Sequence, residues 1–81
     1  MPYSVYILQS LKDNKYYIGS TSDVEARLYF HNAGLQRSTK NRIPFIIVYT
    51  ETWLDKHQAL HREKQIKNYK GGKAFKKLIG K

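Results

Sequence analysis

The sequence predicts an α+β fold in which a three-stranded antiparallel sheet is flanked by helices, in the order β-β-α-β-α-α. Three stretches are rich in β-branched and aromatic residues, which favour strands. Three others combine helix-capping or helix-breaking residues with apolar residues at helical spacing. The chain has 81 residues, the length of one small domain, so we expect residues 1–81 to form a single unit.

The first two strands are expected to form a hairpin. Tyr3–Gln9 and Tyr16–Thr21 are separated by the polar segment LKDNK. Asparagine tolerates the left-handed conformation that tight turns require. The sequence therefore predicts a two-residue turn at Asp13 and Asn14.

The register of this hairpin decides which side chains share a face of the sheet. The two-residue turn places Tyr6 opposite Thr21, and side chains alternate between the two faces along a strand. One face then carries Tyr6, Tyr17, Gly19 and Thr21. The other, more apolar face carries Val5, Ile7 and Ile18.

The first helix is predicted to begin at Ser22 and to end near Asn32. Ser22 and Glu25 have the spacing of a capping box, and Gly34 suits a C-terminal stop. The predicted buried stripe consists of Val24, Leu28 and Leu35.

Two polar residues are predicted at the edge of that stripe. Arg27 and His31 are four residues apart, so their side chains lie on the same side of the helix. From this edge we expect both to reach a cleft between the helix and the sheet.

The remaining elements follow from the same kinds of pattern. Pro44–Thr52 is apolar enough to be the central or most buried strand. Asp55 is predicted to cap a second helix that runs to about Tyr69, and the glycine pair at 71–72 ends it. A short last helix is expected to bury Phe75, Leu78 and Ile79.

The charge is strongly basic, with 15 Lys and Arg against 6 Asp and Glu and a formal net charge of +9. Such a charge favours binding to a polyanion, most often nucleic acid, although a solvated basic face is the simpler alternative. No apolar run approaches the length of a membrane span, and the first residues lack the pattern of a signal peptide. With no cysteine in the chain, we expect a cytoplasmic protein that does not bind membranes.

Glu63 is an unexpected residue on the apolar face of the second helix. Ala59, Glu63 and Ile66 share one face at helical spacing. A buried carboxylate is costly unless it is paired. Two explanations stay open: a salt bridge, for instance with Arg27, or coordination of a hard divalent cation.

Four segments, taken in order, resemble the GIY-YIG nuclease family. They are SVY at 4–6, YIG at 17–19, RLYFH at 27–31 and REKQIK at 62–67. SVY stands where the family has GIY, whereas YIG is complete. The segments HNAG, STK and PFIIVYTE further resemble the small stand-alone bacterial branch. The resemblance covers nearly the whole chain and implies the same β-β-α-β-α-α order.

The resemblance also implies a reaction: hydrolysis of DNA phosphodiester bonds with one divalent ion, Mg²⁺ or Mn²⁺. Glu63 would be the metal ligand, and Arg27 would stabilise charge on the scissile phosphate. One of Tyr6 and Tyr17 would act as the general base or position it, although a tyrosine with a pKa of about 10 is a poor base at neutral pH. His31 would assist proton transfer or contact phosphate.

Four residues are expected to contact the substrate: Gly19, Thr21, Lys40 and Lys67. Gly19 would let the backbone approach DNA, and the lysines would contact phosphates without reading sequence. Ser20 departs from the lysine that some larger family members carry directly after the YIG glycine. Lys15 or Lys40 could replace that lysine.

The expected partner is single-stranded, branched or duplex DNA, in repair, recombination or single-strand turnover, with no small-molecule cofactor. The competing hypothesis is a non-catalytic nucleic-acid-binding module on the same fold, and an RNA substrate also stays open. His57 and His61 are spaced like zinc ligands, but no third ligand is apparent. The sequence does not indicate an oligomeric state.

Overall fold

The computed structural model describes residues 2–80 and contains the predicted elements in the predicted order. The strands are β1 (Tyr3–Ser10), β2 (Tyr16–Thr21) and β3 (Phe45–Trp53). The helices are α1 (Val24–Asn32), α2 (Lys56–Lys67) and α3 (Lys73–Leu78), and a 3₁₀ turn at Lys40–Arg42 precedes β3. The predicted α+β class and three-stranded antiparallel sheet are confirmed.

The central strand of the sheet is β1, because the strand order is β2-β1-β3. The prediction that β3 is central is wrong. Residues 5–8 of β1 are all buried, whereas β3 is an edge strand with several exposed positions. A strand that is covered on both faces needs a continuous apolar run, and YSVYILQ in β1 meets that need as well as the β3 sequence does.

The hairpin turn is longer than predicted. The Ser10 amide donates to the Lys15 carbonyl at 2.9 Å, which closes a loop over residues 11–15. Asn14 takes the expected positive φ of 62°. In the resulting register Tyr6 is paired with Gly19 instead of Thr21. Because the shift amounts to two residues, every side chain keeps its predicted face.

The two faces of the sheet carry separate apolar clusters. On one face, residues of β1 pack against α2 and α3; the buried members are Val5, Ile7, Ala59, Ile66 and Phe75. On the other face, α1 packs through Val24 and Leu28 against Tyr6, Leu8 and Phe45. Leu35 was predicted to belong to this stripe, but its side chain is 62% exposed and lies outside both clusters.

The start of α1 is capped by Asp23, one residue later than predicted. The Asp23 side chain accepts a hydrogen bond from the Ala26 amide at 3.1 Å. Thr21 Oγ1 accepts from the Asp23 amide at 3.2 Å, which fixes the chain where β2 passes into the helix. Asp55 caps α2 as predicted, through the Gln58 amide at 2.9 Å. Within residues 2–80, no helix is both long enough and apolar enough to cross a membrane.

Candidate active site

His31 lies at the centre of the polar site between α1 and the sheet. Its side chain is 1% exposed, so the prediction that it lies at the edge of the apolar stripe is wrong. His31 Nε2 is 3.3 Å from the Tyr6 hydroxyl, and Nδ1 is 2.9 Å from Thr39 Oγ1. Burial, together with the positive charge of Arg27, lowers the pKa of His31 below its usual value. The imidazole is therefore neutral at neutral pH.

Tyr6 is a buried phenol, with only 3% of its surface exposed. Burial, the neighbouring Tyr17 and the Glu63 carboxylate raise the pKa of Tyr6 well above its usual value, against an opposing effect of Arg27. At neutral pH the Tyr6 hydroxyl keeps its proton. This environment disfavours a free phenolate as the general base.

Gly19 makes room for the Tyr6 ring. It is the cross-strand partner of Tyr6, and a Cβ atom at this position would lie 2.5 Å from the Tyr6 hydroxyl oxygen and 2.7 Å from Cζ. Non-bonded atoms do not approach so closely, so any side chain here would displace the tyrosine. The glycine of the YIG segment thus positions Tyr6, a role that the sequence did not suggest.

Tyr17 is the more accessible of the two tyrosines. It shares the Tyr6 face of the sheet and is half-buried. Its ring centroid is 4.8 Å from that of His31, in an edge contact, and 6.4 Å from that of Tyr6. The two tyrosines and the histidine therefore form one aromatic cluster.

Arg27 is half-buried one turn before His31 and forms no salt bridge with any residue from 2 to 80. Its guanidinium carbon lies 5.0 Å from the centre of the Phe30 ring. It lines a surface cleft of about 330 Å³ at the start of α1, together with Thr21 and Phe30. The positive charge of Arg27 lowers the pKa of both Tyr6 and His31.

Glu63 is positioned by α2 beside the edge strand β2. Its carboxylate accepts a hydrogen bond from Ser20 Oγ at 2.6 Å and pairs with Lys67 Nζ at 2.7 Å. The sequence analysis offered a salt bridge as one explanation for Glu63, for instance with Arg27. In the structure Glu63 forms its salt bridge with Lys67 and not with Arg27. Ser20, which stands where some larger family members carry lysine, is the hydroxyl partner of this carboxylate.

The profile of the GIY-YIG catalytic domain matches residues 2–76. The chain belongs to the GIY-YIG family. A curated relative, UPF0213 protein SH2523 from Staphylococcus haemolyticus, is 46% identical over 66 residues, which cover 80% of this chain and 79% of the relative. Another, UPF0213 protein VNG_2274C from Halobacterium salinarum, is 39% identical over 64 residues, covering 78% of this chain and 82% of the relative.

A solved structure has the same fold. The solution NMR structure of the UPF0213 protein BH0048 from Bacillus halodurans matches with a TM-score of 0.51 and 32% sequence identity. The match covers 93% of this chain and 92% of the other. The predicted membership of the small GIY-YIG proteins is therefore confirmed.

The other site residues predicted from the GIY-YIG resemblance have fewer contacts with the cluster of Tyr6, Tyr17 and His31. Thr21 is buried and its hydroxyl is used at the start of α1. Lys40 is exposed at the start of the 3₁₀ turn, and no hydrogen bond or salt bridge links it to the cluster within residues 2–80. Lys67 is 54% exposed and bound to Glu63. Thr39, fully buried against His31, was missed, although it lies in the STK segment that resembles the family's small branch.

A metal ion in this GIY-YIG domain would have few protein ligands. Within residues 2–80 there is no group of three His, Cys, Asp or Glu residues that could hold one. Magnesium is commonly bound by one or two carboxylates together with water and substrate phosphate. Glu63, a half-buried carboxylate oriented by Ser20, fits that mode if Lys67 moves away.

Proposed function

We propose that this GIY-YIG chain, acting as one domain over residues 1–81, is a metal-dependent endonuclease that hydrolyses DNA phosphodiester bonds. The observation that carries the proposal is the neutral His31 within hydrogen-bonding distance of the Tyr6 hydroxyl. The unpaired Arg27 and the Glu63 carboxylate both act on that hydroxyl. In this proposal His31 is the proton acceptor for Tyr6, Arg27 the cation that binds phosphate, and Glu63 the carboxylate that binds the metal.

Arg27 is proposed to bind the scissile phosphate. Its planar guanidinium can donate two parallel hydrogen bonds to phosphate oxygens. Since it has no acidic partner among residues 2–80, no salt bridge must break before phosphate binds. Lys40 and Lys67 would contact neighbouring phosphates, and the net charge of +9 would attract DNA without reading its sequence.

Proton transfer is proposed to pass through Tyr6 to His31. The attacking water gives a proton to the Tyr6 hydroxyl oxygen while Tyr6 gives its own proton to His31 Nε2. The new hydroxide forms a bond to phosphorus, the bond to the leaving ester oxygen breaks, and that oxygen takes a proton from solvent. His31 then returns its proton through Tyr6 to solvent.

This route avoids a tyrosinate intermediate. The reference pKa of histidine is about 6.5 and that of tyrosine about 10, so an imidazole is the better proton acceptor near neutral pH. Burial raises the pKa of Tyr6 further, so a free Tyr6 phenolate is still rarer at neutral pH. Tyr17, the more exposed phenol, would orient the attacking water or the phosphate.

Glu63 is proposed to hold Mg²⁺ or Mn²⁺, with Ser20 fixing the orientation of the carboxylate. A bound cation would neutralise negative charge that develops on the phosphate. Lys67 Nζ must then leave Glu63, and it can do so because its side chain is 54% exposed. Lys67 would be free to contact DNA in that state.

The test is a cleavage assay on labelled single-stranded, duplex and branched DNA with Mg²⁺, Mn²⁺ or a chelator. Wild type and Glu63→Gln are compared, and circular dichroism confirms that both are folded. We expect metal-dependent products from wild type and none from Glu63→Gln. The preferred DNA form would indicate whether the cytoplasmic role is repair, recombination or single-strand turnover.

A second candidate is a non-catalytic nucleic-acid-binding module on the same fold. One observation favours it: both carboxylate oxygens of Glu63 are already engaged, by Ser20 and Lys67. Such a module would bind DNA or RNA tightly and yield no product with either metal. If wild type and Glu63→Gln bind nucleic acid equally well without metal, and neither cleaves it, the binding module is supported and the nuclease is excluded.

A further inference from the structure

We infer that Thr39 is a positioning residue that holds His31 in the tautomer with a proton on Nδ1 and a free lone pair on Nε2. The consequence for catalysis rests on the proposed function, whereas the tautomer itself can be observed directly. Thr39 is 0% exposed and lies in the segment between α1 and the 3₁₀ turn. Its Oγ1 atom is 2.9 Å from His31 Nδ1.

The hydroxyl of Thr39 has two partners and one proton. Oγ1 lies 3.4 Å from the carbonyl oxygen of Gln36, which can only accept a hydrogen bond. When the hydroxyl proton is donated to that carbonyl, the oxygen must accept the Nδ1–H of His31. A neutral imidazole carries one N–H, so Nε2 is then an acceptor facing the Tyr6 hydroxyl.

Among residues 2–80, Thr39 Oγ1 is the hydrogen-bond partner found for His31 Nδ1. The other groups around the imidazole are aromatic rings in edge or tilted contact: Tyr6, Tyr17, Phe30 and Phe45. The charged neighbour, Arg27, cannot accept a proton. Within residues 2–80 no buried side-chain nitrogen or oxygen lacks a partner, so the Thr39 contact satisfies Nδ1.

The backbone of this turn fixes the position of the hydroxyl. Thr39 N donates to the Gln36 carbonyl at 3.1 Å, and the Arg42 amide donates to the Thr39 carbonyl at 2.9 Å. Loss of the hydroxyl would leave Nδ1–H without an acceptor in a buried site. The tautomer with the proton on Nε2 would then gain population, and Nε2 could no longer take a proton from Tyr6.

The experiment is long-range ¹H–¹⁵N NMR of the histidine rings in Thr39→Val and Thr39→Ser. Valine has nearly the shape of threonine without the hydroxyl, and serine keeps the hydroxyl. We expect wild type and Thr39→Ser to show a protonated Nδ1 and an unprotonated Nε2 at His31. Thr39→Val should show a substantial shift toward the opposite tautomer. The exposed His57 and His61 serve as internal references, because their spectra should not change.

Turnover gives an independent second measurement. Thr39→Val should lower kcat by about 10–100-fold with little change in KM, by analogy with residues that orient metal-binding histidines, whose loss costs about that much activity. Thr39→Ser should retain most of the wild-type rate. A purely structural role would instead lower the melting temperature of both variants without changing the tautomer.

Failure of the inference differs from failure of the proposed function. A wild-type spectrum with the His31 proton on Nε2 would overturn the role of Thr39, even if Thr39→Val does not fold. An unchanged tautomer in folded Thr39→Val would overturn it too. Wild type that has the expected tautomer but cleaves no DNA would overturn the nuclease and leave the inference about Thr39 intact.

Discussion

The two faces of the sheet each carry a polar network, and the two networks are built differently. On the α2 face, the Glu51 carboxylate accepts from Arg62 Nε at 3.0 Å, the Tyr49 hydroxyl at 2.9 Å and Trp53 Nε1 at 2.7 Å. In this network the Arg62 guanidinium and the Glu51 carboxylate compensate each other. On the α1 face, the cation Arg27 has no acidic partner among residues 2–80.

This difference separates a network that stabilises the fold from one that is ready for a ligand. A paired, partly buried network loses stability when one partner is removed, because the other is left uncompensated. An unpaired cation beside a neutral histidine and a protonated phenol contributes little to stability in the free protein. Its interactions are completed only when an anion such as a phosphodiester arrives. Variants with matched residue types in the paired network and at the candidate site should therefore have opposite effects.

The largest expected contrast is between two glutamates that both lie on the α2 side of the sheet, Glu63 at the candidate site and Glu51 in the paired network. Glu63→Gln should lower turnover by about 10³-fold, because the charge proposed to bind the metal is lost. Its melting temperature should change little, since its salt bridge to the exposed Lys67 is worth at most about 1 kcal/mol. Glu51→Gln should retain turnover and lose about 1–3 kcal/mol of unfolding free energy. Cleavage kinetics and urea unfolding measure both quantities, and a swap of the two outcomes would refute the comparison.

The two hydrogen-bonded tyrosines give the next contrast. Tyr6→Phe should lower kcat by about 10²-fold, because the proposed proton path to His31 is broken. Tyr49→Phe removes one of several donors to Glu51 and should leave kcat unchanged, at a stability cost of about 1 kcal/mol. Equal rates for the two variants would show that Tyr6 packs without taking part in proton transfer.

Arginine substitutions are expected to have a smaller effect on the reaction. Arg27→Ala should lower kcat/KM by about 10–100-fold, because a metal held by Glu63 still neutralises part of the phosphate charge. It should remain folded. Arg62→Ala leaves Glu51 without its cation and should lose about 1–3 kcal/mol of stability with normal cleavage. Loss of folding in Arg27→Ala would contradict the description of an unpaired arginine beside a cleft.

The pattern of faces could be predicted from the sequence even though the hairpin register could not. Period-two alternation placed Tyr6, Tyr17 and Gly19 together, and a two-residue error in register leaves that alternation intact. The long turn was missed because Ser10 looks like an ordinary strand residue, although its amide donates to the Lys15 carbonyl and its carbonyl accepts from the Asn14 amide. Local composition does not determine how long a polar turn will be.

The depth of His31 could not be predicted, because it depends on a distant segment. From the helix alone, His31 lies beside Arg27 at the edge of a stripe. His31 is buried because the chain after α1 brings Thr39 and Phe45 against its imidazole ring. Helical periodicity within α1 cannot predict contacts with other segments of the chain. The motif spacing indicated that His31 belongs to the site, and only the fold shows that it is buried.

The smallest expected effect concerns pH and stability. The folded-state pKa of His31 is lowered by burial and by Arg27, whereas in the unfolded chain it is about 6.5. As pH falls below about 6.5 the unfolded chain takes up a proton first, so stability is complete above that value and declines as pH falls through the folded pKa. His31→Gln should remove this part of the pH dependence of the melting temperature. His57→Gln, at an exposed position, should leave the dependence unchanged. An identical slope between pH 6.5 and 5 in wild type and His31→Gln would show that His31 has the same pKa in the folded and the unfolded chain, which would contradict the lowering of its pKa by burial and Arg27.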